Sequence, residues 1–334
     1  MATLGTNNPT IADIVKQLDP NGDAAKIVDV LMQIKGFIQD VSWKVGNLLS
    51  GNRTTVTATV PTATARVANA GTAPDKATFS QVDDACAILE TVSVIDRVVA
   101  ETGGVGMVAA NRANQARGHI EALGRKLEDL FFYGTLAVPE EFQGLANRYN
   151  SLSGNLADNV ISGGGTGSDN ASIWVVKHGP GSVEAIVPMG QGTGLQRSDL
   201  GLVDVIDATG PAGATFLAYK EFFTWHCGLA VEDPYAVARI PNIDTSNLLA
   251  KSSAADLIEK LITATEAIHN PESGKIVVYM NRTVRKMFRI QTRDDVQTGG
   301  GLTYQNVDGK RRLMFDEYEV RLSDRLTNTE AAVA

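Results

Sequence analysis

Ile11, Ile14, Val15 and Leu18 fall three and four apart, the spacing of one helix face, and Pro20-Asn21-Gly22 ends the run. A second run of the same period follows in Ile27, Val30, Leu31, Ile34, Phe37, Ile38 and Val41. Two short helices have little core of their own, so the pattern predicts that they dock on the rest of the chain or on a neighbouring copy. The texture changes at Ser50-Gly51. Thr54 to Val60 is a β-branched stretch ended by Pro61, and an extended pattern resumes through Phe79, Val82, Ile88 and Val92. Large apolar side chains are nearly absent between Val60 and Phe79. Residues 51–97 therefore read as a long β-rich excursion. A two-stranded arm of this kind is marginal alone in water. It is either a surface loop or an arm that orders on another subunit.

The clearest helix lies between Gly103-Gly104 and Gly134. Ala109, Ala113, Ala116, Ile120, Leu123, Leu127, Leu130 and Phe131 repeat at three and four, with charged residues on the other faces. Glu121 stands four residues before Arg125, the favourable order for a helix pair. Gly134 suits a left-handed cap, and Gly118 and Gly124 weaken the rod without ending it. Beyond the helix, Ile173–Val176 and Val183–Val187 read as strands around the turn His178-Gly179-Pro180-Gly181. Residues 190–201 read as a polar, glycine-rich loop, and 216–232 as a long alternating strand stopped by Asp233-Pro234.

The last ninety residues read as an α/β unit. Ser253 and Asp256 predict a helix start, with Leu257, Leu261, Ile262, Thr265 and Ile268 as its buried face. Ile276–Met280 predicts a buried strand, and Asn281 caps a helix carrying Val284, Met287, Phe288 and Gln291. Asp308-Gly309 predicts a hairpin turn, and Tyr318, Val320 and Leu322 a final strand before a polar tail.

Composition narrows the classes. Of 334 residues, 43% are apolar and 20% charged, which suits a folded chain of two or three units. No apolar run has the length of a membrane helix, and Met1 to Pro9 lacks the basic and apolar regions of a secretory signal. Two cysteines, Cys86 and Cys227, supply neither a disulfide framework nor a metal-binding pair. A formal charge of −8 argues against general affinity for nucleic-acid backbones.

Candidate chemistry is sparse. His119 sits on a polar stretch of the long helix, His178 in a turn and His269 at a helix end. His226 and Cys227 are adjacent on a strand, so they point to opposite faces and form no dyad. Gly163–Gly167 and Gly192–Gly194 lack the Lys and Ser/Thr of a phosphate loop. Asp83-Asp84, Asp294-Asp295 and Asp316-Glu317 read as solvated charge, and Lys310-Arg311-Arg312 as a hairpin tip or an intersubunit contact. No catalytic, cofactor-binding or metal-ligating residue is expected.

The order of parts, together with Phe131-Phe132-Tyr133-Gly134, Phe142-Gln143-Gly144-Leu145, Ser172–Val176, Pro188-Met189-Gly190, Asp199-Leu200-Gly201, Gly228-Leu229 and Met280-Asn281-Arg282, resembles the major capsid proteins of tailed bacteriophages. Ser172–Val176, Pro188-Met189-Gly190 and Asp199-Leu200-Gly201 look like the segment seen in podovirus-type capsid proteins. The resemblance implies an α+β protein of the Hong Kong 97 phage-like capsid fold. Residues 1–49 would be an N-terminal arm, 50–97 an extended loop over a neighbour, 98–245 a peripheral domain with the spine helix, and 246–334 an axial domain and C-terminal tail. It further implies self-assembly into hexamers and pentamers of an icosahedral shell. That shell would hold packaged double-stranded DNA without sequence-specific binding. Scaffold, portal and decoration or cement proteins are the implied partners, with no membrane and no cofactor. Assembly would occur in the host bacterial cytoplasm, and the final location would be the virion capsid. Two alternatives stay open at this point: a bacterial encapsulin-like nanocompartment shell, and a hydrolase built on Cys227 or a histidine.

Overall fold

The computed structural model describes residues 8–9, 13, 35–102, 104–207, 213–252, 254–294, 302–307 and 310–334; for 105, 293–294, 302–307 and 310–312 the backbone alone is described. The first predicted helix and most of the second lie outside these residues.

The chain opens with α1 (Gly36–Asp40), β1 (Trp43–Val45), β2 (Gly51–Thr59) and β3 (Thr78–Asp96). Next come α2 (Arg97–Ala100), α3 (Val108–Tyr133) and α4 (Leu145–Arg148). Five strands follow: β4 (Asn170–His178), β5 (Val183–Val187), β6 (Leu195–Ile206), β7 (Thr215–Val231) and β8 (Val237–Asp244). The remainder is α5 (Thr245–Ala250), α6 (Leu257–Glu266), β9 (Lys275–Met280), α7 (Arg282–Asp294), β10 (Leu302–Val307), β11 (Lys310–Phe315) and β12 (Tyr318–Leu322). Internal contacts divide the chain into a body of residues 34–87, 129–191 and 227–334, and a second unit of 1–33, 88–128 and 192–226.

In the body, β4 pairs antiparallel with β8 on one edge and with β9 on the other; β9 continues through β12 and β11 to β10. β4 is buried along its whole length, which is why Ile173–Val176 reads as a continuous apolar run and does not alternate. Ile173 and Val175 face a core with Leu248, Leu257, Leu261, Val284 and Phe288 from α5, α6 and α7. Trp174, one residue out of phase, lies among aromatic rings instead: Phe132 at 6.1 Å and Tyr149 at 6.4 Å. Phe37 of α1 joins them, 4.9 Å from Phe131 and 5.3 Å from Phe132. The Phe131-Phe132 pair that closes the long helix thus belongs to the body core.

In the second unit, β6 pairs antiparallel with 215–225 of β7 over nearly its full length. Arg112 of α3 and Arg197 of β6 both bind the buried Glu221 carboxylate, Arg197 at 3.0 Å, and Arg112 also pairs with Asp199. The Arg112 guanidinium and the Gly201 amide hold the Asp199 carboxyl below the usual carboxylate range.

Helix α3 runs 26 residues, about 40 Å at 1.5 Å each, through Gly118 and Gly124 without a break. The Glu121–Arg125 pair forms at 3.0 Å. Asn281 caps α7 as predicted, its side-chain oxygen accepting from the Val284 amide at 2.8 Å. Val307 pairs with Lys310, which leaves two residues for the predicted hairpin connection.

Several expectations are corrected. Residues 195–201 form strand, not loop, because β7 supplies backbone partners whatever the hydropathy of the facing residues. Gly134 is not left-handed; glycine is needed there because a Cβ would lie 2.4 Å from the Phe142 oxygen and 2.7 Å from the Leu130 oxygen. Asp256 is itself the cap of α6, accepting from the Ile258 and Glu259 amides. Ile262 lies on the open side of α6 and is 47% exposed. Helix α5, capped by Asp244, has no counterpart in the sequence reading, its six residues being too few to show a period. The polar tail is not free: Glu330 is buried and bridges to Asn170 at the start of β4.

Candidate assembly arm and its anchor

β2 and β3 form an antiparallel hairpin from Gly51↔Ala85 out to Thr59↔Thr78. Threonines and valines along both strands favour extended backbone, and Pro61 prevents β2 from continuing. Every residue from 57 to 83 is exposed except half-buried Ala77. Val60 and Val67 are more than 70% exposed, and Phe79 is 67% exposed. Local polar contacts shape the segment. Arg53 makes a bidentate pair with Asp83 at 2.6 and 2.7 Å, the threonine hydroxyls of 59 and 78 meet at 2.6 Å, and the Thr62 amide donates to Asp75 at 2.8 Å. Among the described residues, no apolar packing covers this arm.

The root of the arm is built differently. The Cys86 amide donates to the Ser50 oxygen at 2.9 Å. Gly51 runs so close to β3 that a Cβ would sit 1.9 Å from the Asp84 oxygen. The Asp84 carboxylate is buried and paired with Arg148 at 2.6 Å. Arg148 also donates to the Gln143 and Leu229 oxygens, each at 3.3 Å. A buried carboxylate held by one guanidinium fixes where the arm leaves the body. Asp84 was expected to be solvated; only the fold, which brings α4 beneath β3, shows otherwise.

A second anchor lies at α1. The Asp40 carboxylate accepts from Lys275, from Arg321 at 3.0 Å and from the Tyr279 hydroxyl at 3.2 Å. The Tyr279 hydroxyl also meets His178 Nε2 at 2.7 Å, so His178 closes a relay toward Asp40. His178 is a buried residue at the end of β4, not an open turn residue, and burial pulls its pKa down to about 4. In the second unit, Asn8, Pro9 and Asp13 line a cavity of about 300 Å³ with Val92, Gln115 and His119. Of the described N-terminal residues, Asn8, Pro9 and Asp13 therefore lie beside the chain's own helix α3, and 35–49 belong to the body.

The remaining candidates stay apart. His119 is half-buried and not solvated: it stacks on Phe223 at 5.9 Å and meets the Thr91 hydroxyl at 2.7 Å, and burial lowers its pKa. His269 stacks on Tyr235 at 4.5 Å. Burial pushes the Cys86 thiol up to about 12 and the Cys227 thiol higher still, so neither offers a thiolate near neutral pH. Among the described residues, no group of three His, Cys, Asp or Glu side chains is placed to hold a metal, and no helix is long and apolar enough to cross a membrane.

The family model for major capsid protein GP7 matches residues 19–334. The chain belongs to the major capsid protein GP7 family. A chain of the bacteriophage Epsilon15 structure is 27% identical, with a TM-score of 0.77 over 100% of this chain and 99% of that one. The bacteriophage JBD30 capsid is 10% identical over 89% of this chain and 93% of that one, at a TM-score of 0.44. The SrpI encapsulin of Synechococcus elongatus is 12% identical over 66% of this chain and 92% of that one, also at 0.44. Neither of these looser likenesses bears on function. Comparison with curated protein sequences gives no match. The fold is the Hong Kong 97 phage-like capsid fold, and this GP7-family chain is a shell protein of a phage capsid.

Proposed function

We propose that copies of this chain assemble as hexamers and pentamers of an icosahedral shell that encloses double-stranded DNA of a tailed phage. The observation that carries this reading is the arm at 57–83, a rooted hairpin with Val60, Val67 and Phe79 left open to solvent. A shell is closed by many modest symmetric contacts, and an arm that buries these side chains on a neighbour supplies one. Ordering such an arm costs conformational entropy, which burial and strand contact offset on docking. Within 50–97 the arm 57–83 is the reaching segment; 1–49 is an N-terminal arm whose described residues rest on the chain itself, 98–245 is the peripheral domain and 246–334 the axial domain. The role is structural and not catalytic. DNA is held without sequence reading, in keeping with a net charge of −8. A scaffold, a portal and a decoration protein complete the particle, which forms in the host cytoplasm.

The test is electron microscopy of the purified protein, alone and with its scaffold. Closed shells or rings of five and six copies are expected. Monomers under every assembly condition would overturn the proposal, and shells filled with protein cargo and no DNA would point to a nanocompartment.

A further inference from the structure

Residues 327–334 follow the last strand of the body and bury almost nothing apolar: between Thr327 and Ala334 only Glu330 is buried and only Val333 half-buried. Polar contacts hold the segment down. The Glu330 amide donates to the Asn170 oxygen at 2.9 Å and extends the edge of β4 by an antiparallel bridge. The Asn242 side chain clamps Val333 on both sides, accepting from its amide at 2.7 Å and donating to its oxygen at 2.8 Å. The Glu330 carboxylate enters a socket in which Arg239 donates at 2.8 Å, the Tyr133 hydroxyl at 2.6 Å and the Ser172 hydroxyl as a third donor. Arg239 is built into the body independently of Glu330. It lies 4.9 Å over the Trp174 ring, and donates to the Tyr149 oxygen at 2.8 Å and to Ser172 at 3.1 Å.

A backbone bridge at a strand edge, an amide side chain that mimics a second one and a deep socket for one side chain make up the pattern by which β-addition sites hold extended peptides. We propose that Tyr133, Asn170, Ser172, Arg239 and Asn242 form a peptide-binding groove for an extended strand with a carboxylate at the Glu330 position. The chain fills it with its own 327–334, and the same segment of a second copy is the ligand that fits it in trans. Without an occupant the Arg239 guanidinium is a buried cation lacking its counter-charge, which favours refilling of the groove over leaving it empty. This inference does not depend on the shell reading.

The test uses full-length protein. Hydrogen exchange should find the Glu330 and Val333 amides protected in the native chain and about a hundredfold faster in Glu330→Gln. A fluorescent peptide of residues 325–334 should bind the Glu330→Gln protein, whose own segment is loosened. The same peptide carrying Glu330→Gln should bind at least about tenfold more weakly. Exchange at free-peptide rates in the native protein would overturn the proposal. So would a loosened variant that fails to bind the peptide. Should Glu330→Gln not fold, Asn242→Gly serves: it keeps the left-handed backbone at φ 61° and removes the clamp on Val333 together with a 3.3 Å bond to the Ser162 hydroxyl, leaving the Glu330 socket intact. It should speed exchange at Val333 and admit the peptide; native protection with no binding would count against the groove.

Discussion

Asp84 and Arg148 stand 64 positions apart in sequence and meet at 2.6 Å under the root of the arm. Removing the guanidinium would strand a buried carboxylate, so Arg148→Ala should cost about 3–5 kcal/mol in chemical denaturation. Adding Asp84→Ala should recover part of that loss; additive losses would mean that the pair is not coupled. His178 gives a pH signature. Its folded pKa, about 4, lies below the ordinary 6.5, so between these values the unfolded chain takes up a proton that the folded chain refuses. Stability is then fully present above about pH 6.5 and falls as pH drops toward 4, by roughly 3 kcal/mol in all. The Asp40 charge opposes the shift and the Lys275 charge adds to it. Urea midpoints at pH 7 and pH 4.5 should converge in His178→Gln; an unchanged pH slope would assign the titration elsewhere.

At the scale of elements, two glycines that look alike in sequence behave oppositely. Gly118 lies exposed on α3, with open space where a Cβ would go. Gly118→Ala should stabilise the purified protein by about 0.5–1 kcal/mol, by removing backbone entropy from the unfolded chain. Gly134→Ala should destabilise, because its Cβ meets two backbone oxygens that no side-chain rotation can clear. Thermal melts of the two variants should shift in opposite directions, and a matched shift would refute the packing account. β6 teaches a related lesson. Leu195 to Gly201 carry no strand signature, yet β7 pairs with them through a bulge between Asp199 and Gly201. Strand formation there is a property of the partner as much as of the residues.

For the whole molecule, the arm separates stability from assembly. Thr59 and Thr78 face each other in register, so a two-residue Asn-Gly turn can replace 60–77 and still close the hairpin. Because the excised residues are exposed apart from half-buried Ala77, the melting free energy should change by less than about 0.5 kcal/mol. Shell yield, followed by light scattering, should fall by about tenfold or more, the factor that 1.4 kcal/mol per contact sets. Normal assembly of this variant would remove the arm from the list of shell contacts. The open apolar side chains Leu249 and Ile262 on α5 and α6, about half exposed, mark a further surface that assembly can cover.

Local chemistry was readable from the sequence. The period of three and four from Ala109 to Phe131 gave the long helix, β-branched runs gave the arm, Asn281 gave a cap and Asp308-Gly309 a hairpin. Order and motif together gave the family. The helix, the cap and the hairpin turn depend on neighbours within a turn or two of the chain, so the sequence carries their cause. Tertiary structure alone decided the rest: that Asp84 is buried against Arg148, that His178 lies inside, that the tail docks through Glu330 on Arg239, and that Gly134 is needed for close approach. Asp84–Arg148, Glu330–Arg239 and His178–Tyr279 join residues 64, 91 and 101 positions apart, and Gly134 meets Phe142 across a loop. Charge, hydroxyl and ring look the same on paper whether solvated or buried, and only the packing of distant strands removes the water that tells the two apart.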